Sequence, residues 1–201
     1  MERSMIRLFV ALPLPIALSD HLAALSQGLP GARWVEPDRM HLTLRFIGEV
    51  NGAVADDIAD ALDSIHMPEF DLELRGLGTF SERRGATVLW AGVRPNEALT
   101  RLRGKVENAL GRVGLPPERR KFHPHVTLAR VFAGDEAGLL RFLHNRGDWL
   151  GEPFRVSEFV LFSSFLGHGS GAIYTEEAIY PLGNKARAEA ARHAAAMAEE
   201  W

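Results

Sequence analysis

The 201-residue chain contains no cysteine. That absence removes disulfides, thiol nucleophiles and zinc–thiolate sites from consideration. It is also compatible with a reducing cytosol, and a cytoplasmic location is expected. Long apolar runs are missing as well: none approaches the ~18 residues that a membrane-spanning helix needs. Nor is positive charge in excess. Lys and Arg number 23 against 26 Asp and Glu, for a formal net charge of −3. This argues against a broad basic face gripping long nucleic acid, but not against a short nucleic-acid end held in a local pocket. The opening stretch MERSMIRLFVALPLPIAL has the outline of a signal peptide, yet Pro13 and Pro15 interrupt it and no small-x-small cleavage site clearly follows. A buried first strand from about Met5 to Leu12 is the expected reading.

What the chain does contain is a repeated phrase. His41-Leu42-Thr43-Leu44 and His125-Val126-Thr127-Leu128 stand 84 positions apart (125 − 41). Eight His and six Thr in 201 residues predict roughly 0.2 chance occurrences of H-x-T, because short motifs recur at random in proportion to composition. Two copies, each followed by Leu, are not composition at work.

The surroundings repeat too. A strand (IRLFVAL), a helix over about Ile16–Leu29 and the strand MHLTLRFIG make one half. Gly48 to Gly52 read as a turn into a helix bearing Val54, Ile58, Leu62 and Ile65. The strand TVLWAGV, a helix over about 96–113 and the strand FHPHVTLARV make the second half, and a helix near Glu136–Asn145 is expected to bury Leu139, Leu140 and Leu143. Phe9 precedes His41 by 32 residues and Trp90 precedes His125 by 35. Two strand–helix–strand halves of this kind are what an internal duplication leaves. FDLELRGLG reads as a further strand, and about 154–165 with about 172–182 as a hairpin. Residues 1–183 are expected to form one bilobal domain, with an Ala-rich helical extension over 184–201.

Side chains alternate along a strand, which places His41 with Thr43, and His125 with Thr127, on one face and the apolar residues on the other. Two imidazoles facing each other across a cleft suit acid–base chemistry: one takes a proton from water while the other gives one to a leaving oxygen. Two hydroxyls can donate to the oxygens of a tetrahedral phosphorus centre. None of these roles needs a metal or cofactor. His123 and His125 also stand i, i+2, but no Asp, Glu or Cys close in sequence completes a ligand set.

MHLTLRFIGEV and FHPHVTLAR resemble the paired H-x-T-x motifs of the 2H phosphoesterases, and in particular the 2′-5′ RNA ligase-like RNA 2′,3′-cyclic phosphodiesterases. The resemblance extends over about residues 5–183, including RLFVALPLP and GAIYTEEAIYPL. It implies a bilobal α+β fold with two antiparallel sheets lining a central cleft and helices outside. It also implies metal-independent opening of a 2′,3′-cyclic phosphate to a 2′-phosphate, with His41 as proton donor, His125 as acceptor, and Thr43 and Thr127 holding the phosphate. Substrates would be RNA ends or small nucleotides, and the protein would be a monomer. Alternatives are 2′-5′ ligation, which is the reverse reaction, and a non-catalytic RNA- or nucleotide-binding module.

Other positions are candidates for binding substrate. Arg45, i+4 from His41, is expected on the active face. Its second-half counterpart is Ala129. Arg130 points away from His125 by strand parity, and only a bulge or the strand's end would bring it in. Phe9 and Trp90 could stack on a base, although a strand aromatic is more often core. Ser164 and Tyr174 match family positions in the final hairpin. The basic run Arg119-Arg120-Lys121 is a candidate for holding RNA beyond its reactive end.

Overall fold

A computed structural model describes residues 5–29, 31–81, 86–132, 136–167 and 171–183; the expected C-terminal extension lies outside them. In chain order the elements are β1 (Met5–Pro13), α1 (Ile16–Ala24), β2 (Arg33–Trp34), β3 (His41–Asn51), α2 (Gly52–Asp63), β4 (Phe70–Leu72) and β5 (Leu74–Ser81). There follow β6 (Thr87–Val93), α3 (Glu97–Arg112), β7 (His125–Val131), α4 (Glu136–Arg146), β8 (Phe154–Val156), β9 (Glu158–Gly167) and β10 (Gly171–Pro181).

The main sheet is antiparallel, in the order β10-β9-β1-β3-β7-β6-β5, with β2 added along β7. A small second sheet pairs β4 with β8. The expected α+β class and the hairpin β9–β10 are both present. The two half-sheets meet through one residue pair, Leu42 with Val126. These are the same position of the two repeats, so the pseudo-twofold relating the halves passes between them. The antiparallel direction then sets His41 level with Thr127, and His125 level with Thr43. Tertiary pairing thus brings each imidazole to the other half's hydroxyl.

Apolar side chains on the back of the sheet (Leu12, Leu42, Leu44, Val126 and Leu128 among them) are buried in a continuous core with the helices. Burial of this kind stabilises by about 25 cal/mol per Å² of apolar surface, so alternation alone holds the H-x-T face outward. Helix α2 packs on β1, β3 and β10, and α3 on α2 and β3. Each begins with an Asn cap: the Asn51 side chain accepts from the Val54 N–H at 3.1 Å, and that of Asn96 from Leu99 N–H at 2.9 Å.

Several expectations change. The strands expected at FDLELRGLG and about 154–165 each divide between the two sheets, as β4 and β5 and as β8 and β9. No turn occupies 48–52. β3 runs through to Asn51, and Gly48, with φ of 92°, takes up an irregularity opposite Leu8 and Phe9. The first helix ends at Ala24 and continues as a 3-10 turn over Leu25–Gly28. In α4 the buried residues are Leu139 and Phe142, whereas Leu140 is exposed. There Phe142 packs on Trp34 and close over Gly28, where a Cβ would lie 3.0 Å from its ring, while Leu143 is half-buried against the core.

Candidate active site

The two motifs carry the same irregularity. Between β1 and β3 the register runs Ala11–Thr43 and then Val10–Arg45, skipping Leu44. Between β6 and β7 it runs Trp90–Thr127 and then Leu89–Ala129, skipping Leu128. A bulge with an extra residue reverses the alternation beyond it. Residues 41–46 and 125–130 accordingly share one burial sequence: half-buried, buried, half-buried, buried, buried, exposed.

The bulges decide two candidates. Arg45 falls on the covered side, contrary to the i+4 expectation. It is 9% exposed, and its guanidinium is engaged by Glu118 at 3.1 Å, Glu107 at 3.0 Å and the Pro116 carbonyl. The Nε–Glu107 contact is an ion pair without hydrogen-bond alignment. Arg130 turns to the cleft, as only a bulge allows, and lines it. Phe46 occupies the position equivalent to Arg130 and is 63% exposed on the cleft side. Strict alternation assigns Phe46 to the core, and no signal in the sequence marks the bulge.

A cavity of about 370 Å³ opens on this face; His41, Thr43, His125, Thr127, Arg130 and Tyr174 are among the residues that line it, as are Arg7, Arg39 and Ser164. Each histidine is held in the same way. The His41 Nδ1–H donates to the Arg39 carbonyl at 2.9 Å, and the His125 Nδ1–H donates to the His123 carbonyl at 2.7 Å. A carbonyl can only accept, so Nδ1 carries hydrogen in both rings and Nε2 is the nitrogen left for chemistry.

Burial drives the pKa of His41 down to about 4; its bond to the Arg39 carbonyl opposes the shift, and the nearby His125 adds to it. His125 is also lowered, by its own burial first, with the bond to His123 opposing and the His123 ring contributing. Both imidazoles are thus biased to the neutral form.

Aromatic rings brace both histidines. Phe9 lies 4.9 Å from the His41 ring and Tyr174 meets it edge-on at 5.3 Å, with the Arg39 guanidinium 5.7 Å from the Tyr174 ring. Phe9 borders the cavity but is only 3% exposed, its ring covered by His41, Phe162 and Tyr174. Around His125, Phe80 stands edge-on at 5.0 Å and Trp90 at 6.2 Å. Register makes Ala11, not Phe9, the counterpart of Trp90. Of the basic run, Arg120 and Lys121 line an adjoining cavity that Arg119 does not. Among the described residues, no three His, Asp or Glu side chains come together as a metal-ligand set, and no helix is long and apolar enough to cross a membrane.

Paired H-x-T strands related by a pseudo-twofold, at the seam of two antiparallel half-sheets, define a 2H phosphoesterase. The chain belongs to the LigT-like phosphoesterase family, whose model matches residues 12–90 and 92–174. It is 42% identical over 149 residues to the RNA 2′,3′-cyclic phosphodiesterase of Aeropyrum pernix, covering 73% of this chain and 84% of that protein. It is 30% identical over 190 residues to the protein of the same name from Methanothermobacter thermautotrophicus, covering 88% and 99%. Among solved structures, Escherichia coli LigT complexed with 3′-AMP superposes with a TM-score of 0.73 at 26% identity, covering 90% of this chain and all of that one. A Thermus thermophilus protein gives 0.72, also at 26% identity, covering 87% and 97%.

Proposed function

We propose that the protein hydrolyses the 2′,3′-cyclic phosphate of RNA ends or nucleotides to a 2′-phosphate, by proton exchange through His41 and His125 and without a metal. The observation that carries this reading is the matched pair of imidazoles, each fixed through Nδ1 and lining one cavity with both threonines. The names of the relatives above support the substrate class.

In the proposed reaction His125 Nε2 takes a proton from water as its oxygen bonds to phosphorus. The bond from phosphorus to the 3′ oxygen breaks, and His41 delivers a proton to that oxygen. Thr43, Thr127 and Arg130 bind the oxygens on which charge collects. The family resemblance assigns donor and acceptor. Burial disfavours the charged form of His41, so its role as donor relies on the substrate's phosphate anion to favour that form. The same reading treats the protein as a monomer, since one chain supplies both histidines. It also treats it as cytoplasmic, since a chain without cysteine needs no oxidising compartment.

The test is incubation with a cyclic 2′,3′-nucleotide in EDTA, followed by identification of the hydroxyl that keeps the phosphate. A 2′-phosphate formed at undiminished rate is expected. Turnover lost on chelation and restored by a divalent ion would overturn the two-histidine mechanism.

A further inference from the structure

The cavity holding the histidines shares a wall with a larger one of about 850 Å³ on the side of the second half. Thr43, Phe46, His125, Thr127 and Arg130 line both. His41 lines only the smaller one. The larger one has chemistry of its own. Arg120 and Lys121 line it, both exposed and without a salt bridge among the described residues, although the Glu118 carboxylate that shares the cavity attracts Arg120. Their backbone is nonetheless fixed: Glu118 accepts from the Arg120 N–H at 3.0 Å and from the Arg45 guanidinium at 3.1 Å. Two cations on a clamped loop, in a chain of net charge −3, place positive charge where a phosphate would meet it.

Between the two spaces stands Phe46. The bulge at Leu44 turns its ring out of the core, and buried Phe9 backs it at 6.0 Å. A braced ring with an open face is a platform for any base, because every base has a π-face.

We propose that the larger cavity is a second nucleotide subsite. The base preceding the cyclic phosphate stacks on Phe46 and its phosphate is met by Arg120 and Lys121, so the protein prefers oligoribonucleotide ends to cyclic mononucleotides. This rests on the cyclic-phosphate reading of the smaller cavity.

Binding of two product-like probes tests it: a trinucleotide ending in a 2′-phosphate and the corresponding mononucleotide 2′-phosphate, each titrated at several salt concentrations. Wild type should bind the trinucleotide more tightly. In Arg120→Ala/Lys121→Ala that advantage should shrink, and the slope of log affinity against log salt should fall by about 0.7, for the one single-strand phosphate that the two cations meet. Phe46→Leu keeps the apolar bulk but loses the flat face, and should weaken trinucleotide binding about tenfold. Equal losses on both probes would mean that the loop shapes the smaller cavity, and no loss on either that it is merely solvated; either result overturns the subsite. Wild-type turnover of a cyclic mononucleotide is measured alongside. Its absence defeats the cyclic-phosphate reading itself, whereas turnover with no preference for the trinucleotide defeats only the subsite.

Discussion

Arg45 and Ala129 stand at the same register position of the two halves, one residue past the bulge, yet one is an ion-paired guanidinium and the other a methyl group. The duplication therefore kept the backbone and let the chemistry diverge. Through Glu107 and Glu118, Arg45 ties β3 of one half to α3 and to the loop that leads into β7 of the other.

Replacing Arg45 with Met should lower stability by about 3 kcal/mol, the low end for breaking a buried ion pair, because Arg103 still faces Glu107 at 3.1 Å. At this chain length that is a fall in Tm of roughly 6–12 °C. Arg45→Lys should not restore it, since a single ammonium cannot reach three acceptors. Thermal unfolding of the three proteins checks this, and an unchanged Tm in Arg45→Met would show that the clamp carries no load.

His41→Ala and His125→Ala should each lower kcat by at least ~100-fold, the lower end for general acid–base catalysis. Their circular dichroism should stay native, because the core face of each strand is Leu42, Leu44, Val126 and Leu128. If either variant keeps near-normal turnover of a cyclic nucleotide, that residue is neither acid nor base.

Gly78 is where the ring of Trp90 lies. A Cβ there would stand 2.3 Å from the indole, so Gly78→Ala must push the ring aside. Trp90 packs on His123 at 5.0 Å and on His125 at 6.2 Å. The expected cost is about 1–3 kcal/mol, as for overpacked sites, with a lower kcat. Urea unfolding and steady-state rates report the two effects, and a variant normal in both would mean that the indole can move without cost.

The lowered pKa of His41 links stability to pH. Its ordinary value is 6.5 and burial brings it to about 4, so between those values the unfolded chain binds the proton and the folded one does not. The contribution of His41 is therefore fully present above about pH 6.5 and is lost as pH falls through about 4. The loss reaches about 3 kcal/mol, from 2.5 units at 1.36 kcal/mol each. His125, also lowered, acts in the same sense. Urea midpoints at pH 7 and pH 4 should converge in His41→Phe relative to wild type; an identical acid loss in both proteins would assign it to other groups.

The sequence by itself determined the repeat, the strand nature of both motifs and the sorting of His and Thr from Leu and Val. These are local: period-2 alternation and a recurring phrase need no partner strand to be legible. It also contained the elements on either side, to within a few residues. It could not assign Arg45, Phe46 and Arg130 to their faces, because a bulge is defined by the strand opposite, and one skipped residue in the pairing reverses everything beyond it. Nor could it foresee that Phe142 replaces Leu140 in the core, since that follows from packing between elements far apart in the chain. The meeting of His41 with Thr127 and of His125 with Thr43 belongs to the tertiary structure for the same reason. One antiparallel pair, Leu42 with Val126, sets the level of both motifs, and that pairing exists only once the halves have docked.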